Sequence, residues 1–296
     1  MKHLYIIGNG FDIHTGLKTR YVDFCLWLEY NYPFIYENLQ YTYDIDVEWW
    51  NEFEVQLGKL DISKYVKKFP SPAKSIDEIM REVEQREELE QKYNMPHDLH
   101  FDSHCARRLN GLLDVLQYCF EKWVDNCQSS TINSKYIHIE KEDSFFVNFN
   151  YTDVLEKLYE IPEEKILHIH GRASKHEHLI YGHDTSSLIG GSMNNDEKQV
   201  LFELGKYQKY PYEHIYKHQE LKDILKTIEY VHVYGFSFSP VDEDYMDWFF
   251  NNVSITTQWE ISWFTDIDKN RIDRFVLEHR SLKHRLKVIR LEELDI

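Results

Sequence analysis

The sequence predicts an α/β protein with a largely parallel sheet. From Ser144 onward, short apolar runs alternate with helical segments, which is the pattern of strand–helix–strand units. A further apolar run, His3–Ile7, opens the chain and ends at Gly8 and Gly10. Between these two parts, residues 30–139 contain few glycines and few strand-like runs, which favours helices.

This pattern predicts two domains. Residues 1–29 and 140–296 are expected to form the α/β domain, and residues 30–139 a helical insertion or cap after the first strand and helix. A chain of 296 residues is long enough for one large domain or two. Its apolar content of 42% and aromatic content of 15% are typical of a folded globular protein.

The net charge and the spacing of the cysteines limit the cellular environment and the binding partners that we expect for this protein. A net charge of −17 argues against a broad surface for nucleic acid or anionic membranes. No apolar run approaches the ~20 residues that cross a bilayer. The four cysteines (Cys25, Cys105, Cys119 and Cys127) show no Cys-x-x-Cys spacing, so neither a zinc site nor a redox motif is indicated. We expect a cytoplasmic protein without a metal.

The opening strand leads into a Gly-x-Gly turn. Because Gly8 and Gly10 have no Cβ, a phosphate or a ribose could approach backbone amides that we expect to be bare there. An ordinary tight turn would look the same. The full dinucleotide fingerprint needs a third glycine, and that position is Ile13.

The middle of the chain predicts helices with no chemical signature. A segment at residues 21–28 reads as a helix that packs on the first strand. Residues 75–93 are dense in charged side chains and read as a solvated helix. Apolar residues recur at three- and four-residue steps from Cys105 to Trp123, which predicts one face of a long amphipathic helix packed in a core.

The second half predicts six strands and five helices. The strands are expected at Ser144–Asn148, 166–169, 179–181, Tyr230–Tyr234, 259–263 and 287–291. The helices are expected near 153–159, 196–205, 219–228, 242–250 and 270–278. Because ligands of parallel sheets bind outside the carboxyl ends of the strands, the residues after each strand are the candidates for a site.

Polar residues follow two of these strands. Asn150 could bind a ribose or orient a water, whereas Thr152 and Asp153 are better explained as caps of the next helix. His168 and His170 share one face of their strand. A metal site or a general base would fit such a pair, but we expect His168 to be a hydrogen-bonded structural residue.

Three more strand ends add polar groups. The run 179–181 leads into Gly182, and the strand ending at Tyr234 leads into Gly235 and Ser237, whose amide and hydroxyl would suit phosphate oxygens. Asp266 could bind ribose hydroxyls or cap its helix. Five such endings together favour a nucleotide site.

These motifs resemble the bacteriophage abortive infection AbiH family. Its first signature is similar to residues 6–12 followed by 16–24, and its later ones are similar to residues 149–152, 168–171 and 181–183. The resemblance covers both ends of the chain, and the helical stretch between them is not diagnostic.

The AbiH family is in turn similar to sirtuin-like NAD-binding proteins, which implies a sirtuin-like Rossmann-type domain. This resemblance implies that Asn150 and His170 are a catalytic pair. We add Asp12 to the site, either against ribose hydroxyls or the positive nicotinamide ring, with an N-cap of the next helix as the alternative. The nucleotide contacts are expected from Gly8, Asn9, Gly10, Phe11, Thr152, Gly235, Ser237 and Asp266.

The departures from sirtuins narrow the predicted reaction. Sirtuin deacylases hold a zinc with four cysteines, and the corresponding interval here, residues 172–180, has none. Thr152 stands where sirtuins have an aspartate. The resemblance therefore implies an NAD hydrolase of antiphage defence that yields nicotinamide and ADP-ribose. A non-catalytic module that senses NAD or ADP-ribose is the alternative, and a toxin acting on nucleic acid is the weakest hypothesis.

The partners follow from this hypothesis. The expected ligand is NAD as substrate, or NADP or another nucleotide. A homo-oligomer and a phage-derived or defence-system trigger are expected because an NAD hydrolase must be kept silent. No membrane and no metal are expected.

Overall fold

A computed structural model of the chain describes residues 1–46, 48–70, 76–93, 104–128, 136–184, 192–218 and 221–295. Six strands form one sheet in which all neighbours are parallel. They are β1 (His3–Ile7), β2 (Ser144–Asn148), β3 (Ile166–His168), β4 (Tyr230–Tyr234), β5 (Gln258–Trp263) and β6 (Leu286–Arg290). The predicted α/β class with a mostly parallel sheet is confirmed.

The order of the strands is β3-β2-β1-β4-β5-β6. β1 therefore pairs with β2 on one side and with β4 on the other, so that Ile7 lies between Asn148 and Tyr234. This order occurs in doubly wound nucleotide-binding sheets, where ligands bind at the carboxyl edge beside the point at which the order reverses. The finer sirtuin-like assignment stays a prediction.

The sheet is covered by apolar side chains on both faces, as a parallel sheet requires. On one face, Leu4, Ile6 and Val233 belong to a buried cluster with residues of later helices such as Phe249 and Phe275. The alternate residues of β1 and β2 belong to a second cluster, whose members include Tyr5, Ile7, Phe11, Phe146, Leu155 and Tyr159. The alternation of side chains along each strand separates the two clusters.

Thirteen α-helices lie in the described residues. Seven precede β2: α1 (Asn9–His14), α2 (Tyr21–Asn31), α3 (Pro33–Tyr43), α4 (Phe53–Leu57), α5 (Ile62–Lys68), α6 (Ile76–Tyr93) and α7 (Cys105–Gln128). Six follow it: α8 (Val154–Lys157), α9 (Asn195–Gly205), α10 (Pro211–Tyr216), α11 (Leu221–Leu225), α12 (Glu243–Asn252) and α13 (Asp266–Glu278). The long amphipathic helix predicted from Cys105 is thus observed, and none of the described helices is both long and apolar enough to cross a membrane.

The strand predicted at residues 179–181 is wrong. This segment lies outside the sheet, and His183 after it makes one isolated bridge to Gln208. Leu179 and Tyr181 are nevertheless buried. A short buried apolar run before a glycine does not distinguish a strand from an extended buried loop.

The chain divides into two compact units. Unit 1 comprises Met1–Arg20, Val124–Ile180 and Tyr210–Ile296, and it contains the whole sheet. Unit 2 comprises Tyr21–Trp123 and Tyr181–Lys209. The predicted α/β domain at 1–29 with 140–296 and the predicted helical insertion at 30–139 stay predictions.

Candidate functional site

The Gly-x-Gly turn is closed by its own neighbours. β1 ends at Ile7, Gly8 is the N-cap of α1, and the helix begins at Asn9. The amide of Gly8 donates to the carbonyl oxygen of Tyr234 at 3.0 Å, and the amide of Gly10 donates to that of Gly235 at 2.8 Å. The expectation of bare amides at these glycines is therefore wrong.

Gly235 makes this closure possible. Its φ of +64° lies in the left-handed region, and a Cβ on it would lie 2.0 Å from the amide nitrogen of Phe11. Its own amide donates to Ser262 Oγ at 3.0 Å. The turns after β1 and β4 thus pack backbone against backbone, so the three glycine amides serve the fold in this state.

Four other predicted nucleotide contacts have different surroundings. Phe11 is fully buried and contacts Tyr159 in the second apolar cluster. The half-buried Asn9 donates its side-chain amide to Thr19 O at 2.7 Å. Ser237 is exposed, and so is Asp266, where the cap of α13 is supplied by Thr265. Their contacts to a nucleotide stay predictions.

The structure brings Asp12, Asn150 and Thr152 together. Asp12 lies inside α1 rather than at its N-cap, so the capping alternative is wrong. Its Oδ1 accepts a hydrogen bond from Asn150 Nδ2 at 2.8 Å, and its Oδ2 accepts one from Thr152 Oγ1. Asn150 Nδ2 also donates to Gly8 O at 3.0 Å. Both amide hydrogens of Asn150 are therefore used to join the turn after β1 to the loop after β2.

Burial changes the acid strength of Asp12. Its side chain is buried within the protein, and this desolvation raises the pKa to about 7 from the usual 3.8. The hydrogen bonds from Thr152 and Asn150 act in the opposite direction, as does nearby His168. A carboxyl group that titrates near neutrality can exchange a proton under physiological conditions.

His170 lies in an aromatic environment next to this group. Its ring contacts Phe149 and Tyr151, which flank Asn150 in the chain, and Tyr245 of α12. Its Nε2 lies 3.7 Å from Asp242 Oδ1. Only 2% of the residue is exposed. His170 follows β3 by two residues, and its catalytic role stays a prediction. Its aromatic neighbours had no signal in the sequence.

Arg172 and three acidic side chains form a charged group that the sequence did not predict. Arg172 Nε donates to Asp153 Oδ1 at 2.6 Å, and its guanidinium also faces Glu156 and Glu163 at 3.4 and 3.0 Å. Asp153 is the N-cap residue of α8 but makes no side-chain cap. Asp153 thus occupies the predicted N-cap position, but neither Thr152 nor Asp153 caps the helix with its side chain, because these side chains bind Asp12 and Arg172.

His168 is a hydrogen-bonded structural residue, as expected. It lies opposite Asn148 in the sheet and contacts both Asn150 and Glu156. Glu156 follows Asp153 by three residues, so both acids lie on one side of the short α8. That spacing was the available signal for a basic partner such as Arg172.

The arrangement brings together side chains that form hydrogen bonds and a carboxyl group that can exchange a proton. A titrating carboxyl, an amide and a buried imidazole lie at the carboxyl ends of β1, β2 and β3. Among the described residues, no group of three or more His, Cys, Asp or Glu side chains is placed to hold a metal ion.

A known protein family matches most of the chain. A family model described as bacteriophage abortive infection AbiH matches residues 4–263. The matched range includes Asp12, Asn150, Thr152 and His170 and ends before Asp266. No curated protein and no solved structure matches the chain.

Proposed function

The chain belongs to the bacteriophage abortive infection AbiH family and so has a role in abortive infection, and we propose that it acts there by hydrolysing NAD to nicotinamide and ADP-ribose. The observation that carries the proposal is the contact between Asp12 and Asn150 at the sheet's carboxyl edge. This edge is where doubly wound sheets bind nucleotides. A carboxyl with a pKa of about 7 there supports proton transfer to or from a bound substrate.

The proposed reaction breaks the bond between the nicotinamide nitrogen and the ribose anomeric carbon and forms a bond from that carbon to the oxygen of water. Water adds to that carbon, the bonding electrons leave with nicotinamide, and one proton is released. His170 accepts this proton from the water or a ribose hydroxyl. Asn150 Oδ1 orients the water, since both hydrogens of the amide are donated to Asp12 and Gly8. Positioning of this kind supplies much of the rate of such reactions.

Asp12 has an electrostatic role in this proposal. In its ionised form it faces the positive nicotinamide ring or the cationic transition state, which a buried carboxylate stabilises more than one in water. It does not serve the diphosphate, which it would repel. The diphosphate instead requires that the turns after β1 and β4 separate, because the amides of Gly8 and Gly10 are bound to that neighbouring turn.

The burial of the site supports a silent resting state. Asp12 and His170 are exposed by only 1% and 2%. An enzyme that consumes NAD without control would harm its own cell. We therefore propose that a phage-derived or defence-system trigger opens the carboxyl edge.

The test follows nicotinamide released from NAD by the purified chain, alone and in extract from phage-infected cells. Asn150→Ala and His170→Ala should each lower the rate by about 10²-fold or more. Asn251→Ala and His178→Ala are matched controls, because both side chains are exposed, and they should keep the wild-type rate.

Two outcomes would contradict the proposal. Full activity in both site variants would reject the residues. NAD that is bound but not cleaved, in the infected extract as well, would reject the enzyme and favour a module that senses NAD or ADP-ribose.

A further inference from the structure

His168 contacts both Asn150 and Glu156, one of the acids that face Arg172. Its Nδ1 lies 3.2 Å from the backbone oxygen of Asn150, and its Nε2 lies 2.7 Å from Glu156 Oε1. The side chains of His168 and Glu156 are only 7% and 10% exposed. Two sides of one imidazole ring are thus held by partners from two different segments.

The chemistry of the partners decides the role of each ring nitrogen. A backbone carbonyl oxygen and a carboxylate both only accept hydrogen bonds, so Nδ1 of His168 donates to Asn150 and Nε2 donates to Glu156. The Glu156 carboxylate lies 3.4 Å from the guanidinium of Arg172. This chain of contacts, Glu156 to His168 to the Asn150 backbone, orients the ring in the way that a carboxylate orients a histidine in many sites.

Contacts and electrostatic interactions link His168, directly or through shared partners, to four acids and three bases. The acids are Asp12 of α1, Asp153 and Glu156 at α8, and Glu163. The bases are Lys157, Arg172 and Lys175. Glu156 is the acid that the imidazole ring itself contacts.

The contact to the Asn150 backbone has a consequence for the Asn150 side chain. The amide nitrogen of Asn150 donates to Asn148 Oδ1 at 3.0 Å, and its carbonyl oxygen accepts from His168. The two peptide groups that flank its Cα are thereby fixed. Since the Cα–Cβ direction follows from the backbone, these contacts direct the Asn150 amide at Asp12 and Gly8.

From these contacts we infer that His168, oriented by Glu156, is a positioning residue that fixes the direction of the Asn150 side chain. The expected effect of His168 on turnover rests on the proposed function. The expected effect of His168 on the geometry of Asn150 does not depend on NAD. His168 has no proposed contact to the substrate.

Two conservative variants separate the two contacts of His168. The amide nitrogen of Asn lies near the position of Nδ1, so His168→Asn keeps the donor to the Asn150 backbone and loses Glu156. The amide of Gln lies near the position of Nε2, so His168→Gln keeps Glu156 and loses that donor. His168→Ala removes both, and His178→Ala changes an exposed histidine nearby in the chain.

The first measurement uses NMR of the full chain and needs no substrate. In the wild type, Nδ1 of His168 should bear a proton, and hydrogen exchange of the Asn150 side-chain amide should be slow. His168→Asn should keep that slow exchange within about threefold, whereas His168→Gln and His168→Ala should speed it at least tenfold. An Nδ1 without a proton, or equal exchange in all variants, would overturn the inference.

The second measurement is NAD turnover by the same variants. We expect His168→Gln to lower kcat at least tenfold with KM within threefold, and His168→Asn to recover most of the loss. If the wild type releases no nicotinamide under any condition, the proposed function fails, and the NMR measurement still decides the role of His168. Equal kcat in His168→Asn, His168→Gln and the wild type would overturn that role.

Discussion

Asn150 Nδ2 lies 2.8 Å from Asp12 Oδ1 although 138 residues separate the two in the chain. Asp12 comes from the first helix after β1, and Asn150 from the loop after β2. The contact exists because β1 and β2 are parallel neighbours whose carboxyl ends lie side by side. It joins the motif at the start of the chain to one in its middle.

The raised pKa of Asp12 predicts a pH dependence of stability. The folded pKa of about 7 exceeds the usual 3.8, so between these values the folded state binds more protons than the unfolded state. The free energy of unfolding should therefore fall as the pH rises from about 4 to about 7. Asp12→Asn, which can still accept from Asn150, should reduce this fall by at least about 1.4 kcal/mol, the equivalent of one pKa unit. Urea unfolding at a series of pH values measures it, and identical slopes for the two proteins would contradict it.

Thr152 should also affect the pKa of the Asp12 carboxyl group. Its hydroxyl donates to Asp12 and lowers the pKa of that carboxyl, so Thr152→Val should raise the pKa further. If ionised Asp12 is required for NAD hydrolysis, the lower limb of the pH–rate profile should move to higher pH. Thr152→Ser keeps the hydroxyl and serves as the control. A profile that is the same in Val and Ser variants would argue against this role of Asp12.

Gly235→Ala should be strongly destabilising. A Cβ there would lie 2.0 Å from the backbone nitrogen of Phe11, and the φ of +64° disfavours any side chain. We expect a loss of about 3 kcal/mol or more, measured by chemical unfolding. At Gly205, by contrast, an added Cβ meets no atom within 4 Å, so Gly205→Ala should be neutral or slightly stabilising. A small effect at Gly235 would show that the two turns are not tightly packed.

Arg172→Met should cost about 3–5 kcal/mol of unfolding free energy, because it leaves the buried Asp153 without its main cation. Adding Asp153→Asn should recover part of that loss, since no unpaired charge then remains at this position. Lys226→Ala breaks an exposed ion pair with Asp223 and should change stability by less than about 0.5 kcal/mol. Equal losses for Arg172→Met and Lys226→Ala would contradict the distinction between buried and exposed pairs.

In unit 2, Phe120→Ala should cost about 3–5 kcal/mol. Its fully buried ring contacts Phe24, Trp123 and Tyr181 at centroid distances of 5.4, 5.5 and 4.8 Å. Leu26→Ala on α2 is the control, because that side chain is 59% exposed and should cost less than about 1 kcal/mol. Thermal and chemical unfolding both measure the difference. A Phe120→Ala protein as stable as Leu26→Ala would contradict the assignment of α7's apolar face to a core.

The sequence by itself determined the class of fold and most of its elements. Strands and long helices follow from the local spacing of apolar residues, which is why β2, β4 and α7 were predicted close to their observed bounds. Three of the residues that follow the first two strands, Asp12, Asn150 and Thr152, contact one another. Their meeting follows from parallel pairing, which brings carboxyl ends to one edge.

Only the tertiary structure decided what these residues contact. The amides of Gly8 and Gly10 are used by the turn after β4, and the side chains of Thr152 and Asp153 bind Asp12 and Arg172 instead of capping a helix. The residues around a hydrogen-bond donor in the sequence are the same whether its acceptor is a ligand or a group at the end of a distant strand. The pKa of Asp12 is likewise set by burial among side chains far away in the chain, which no local pattern records.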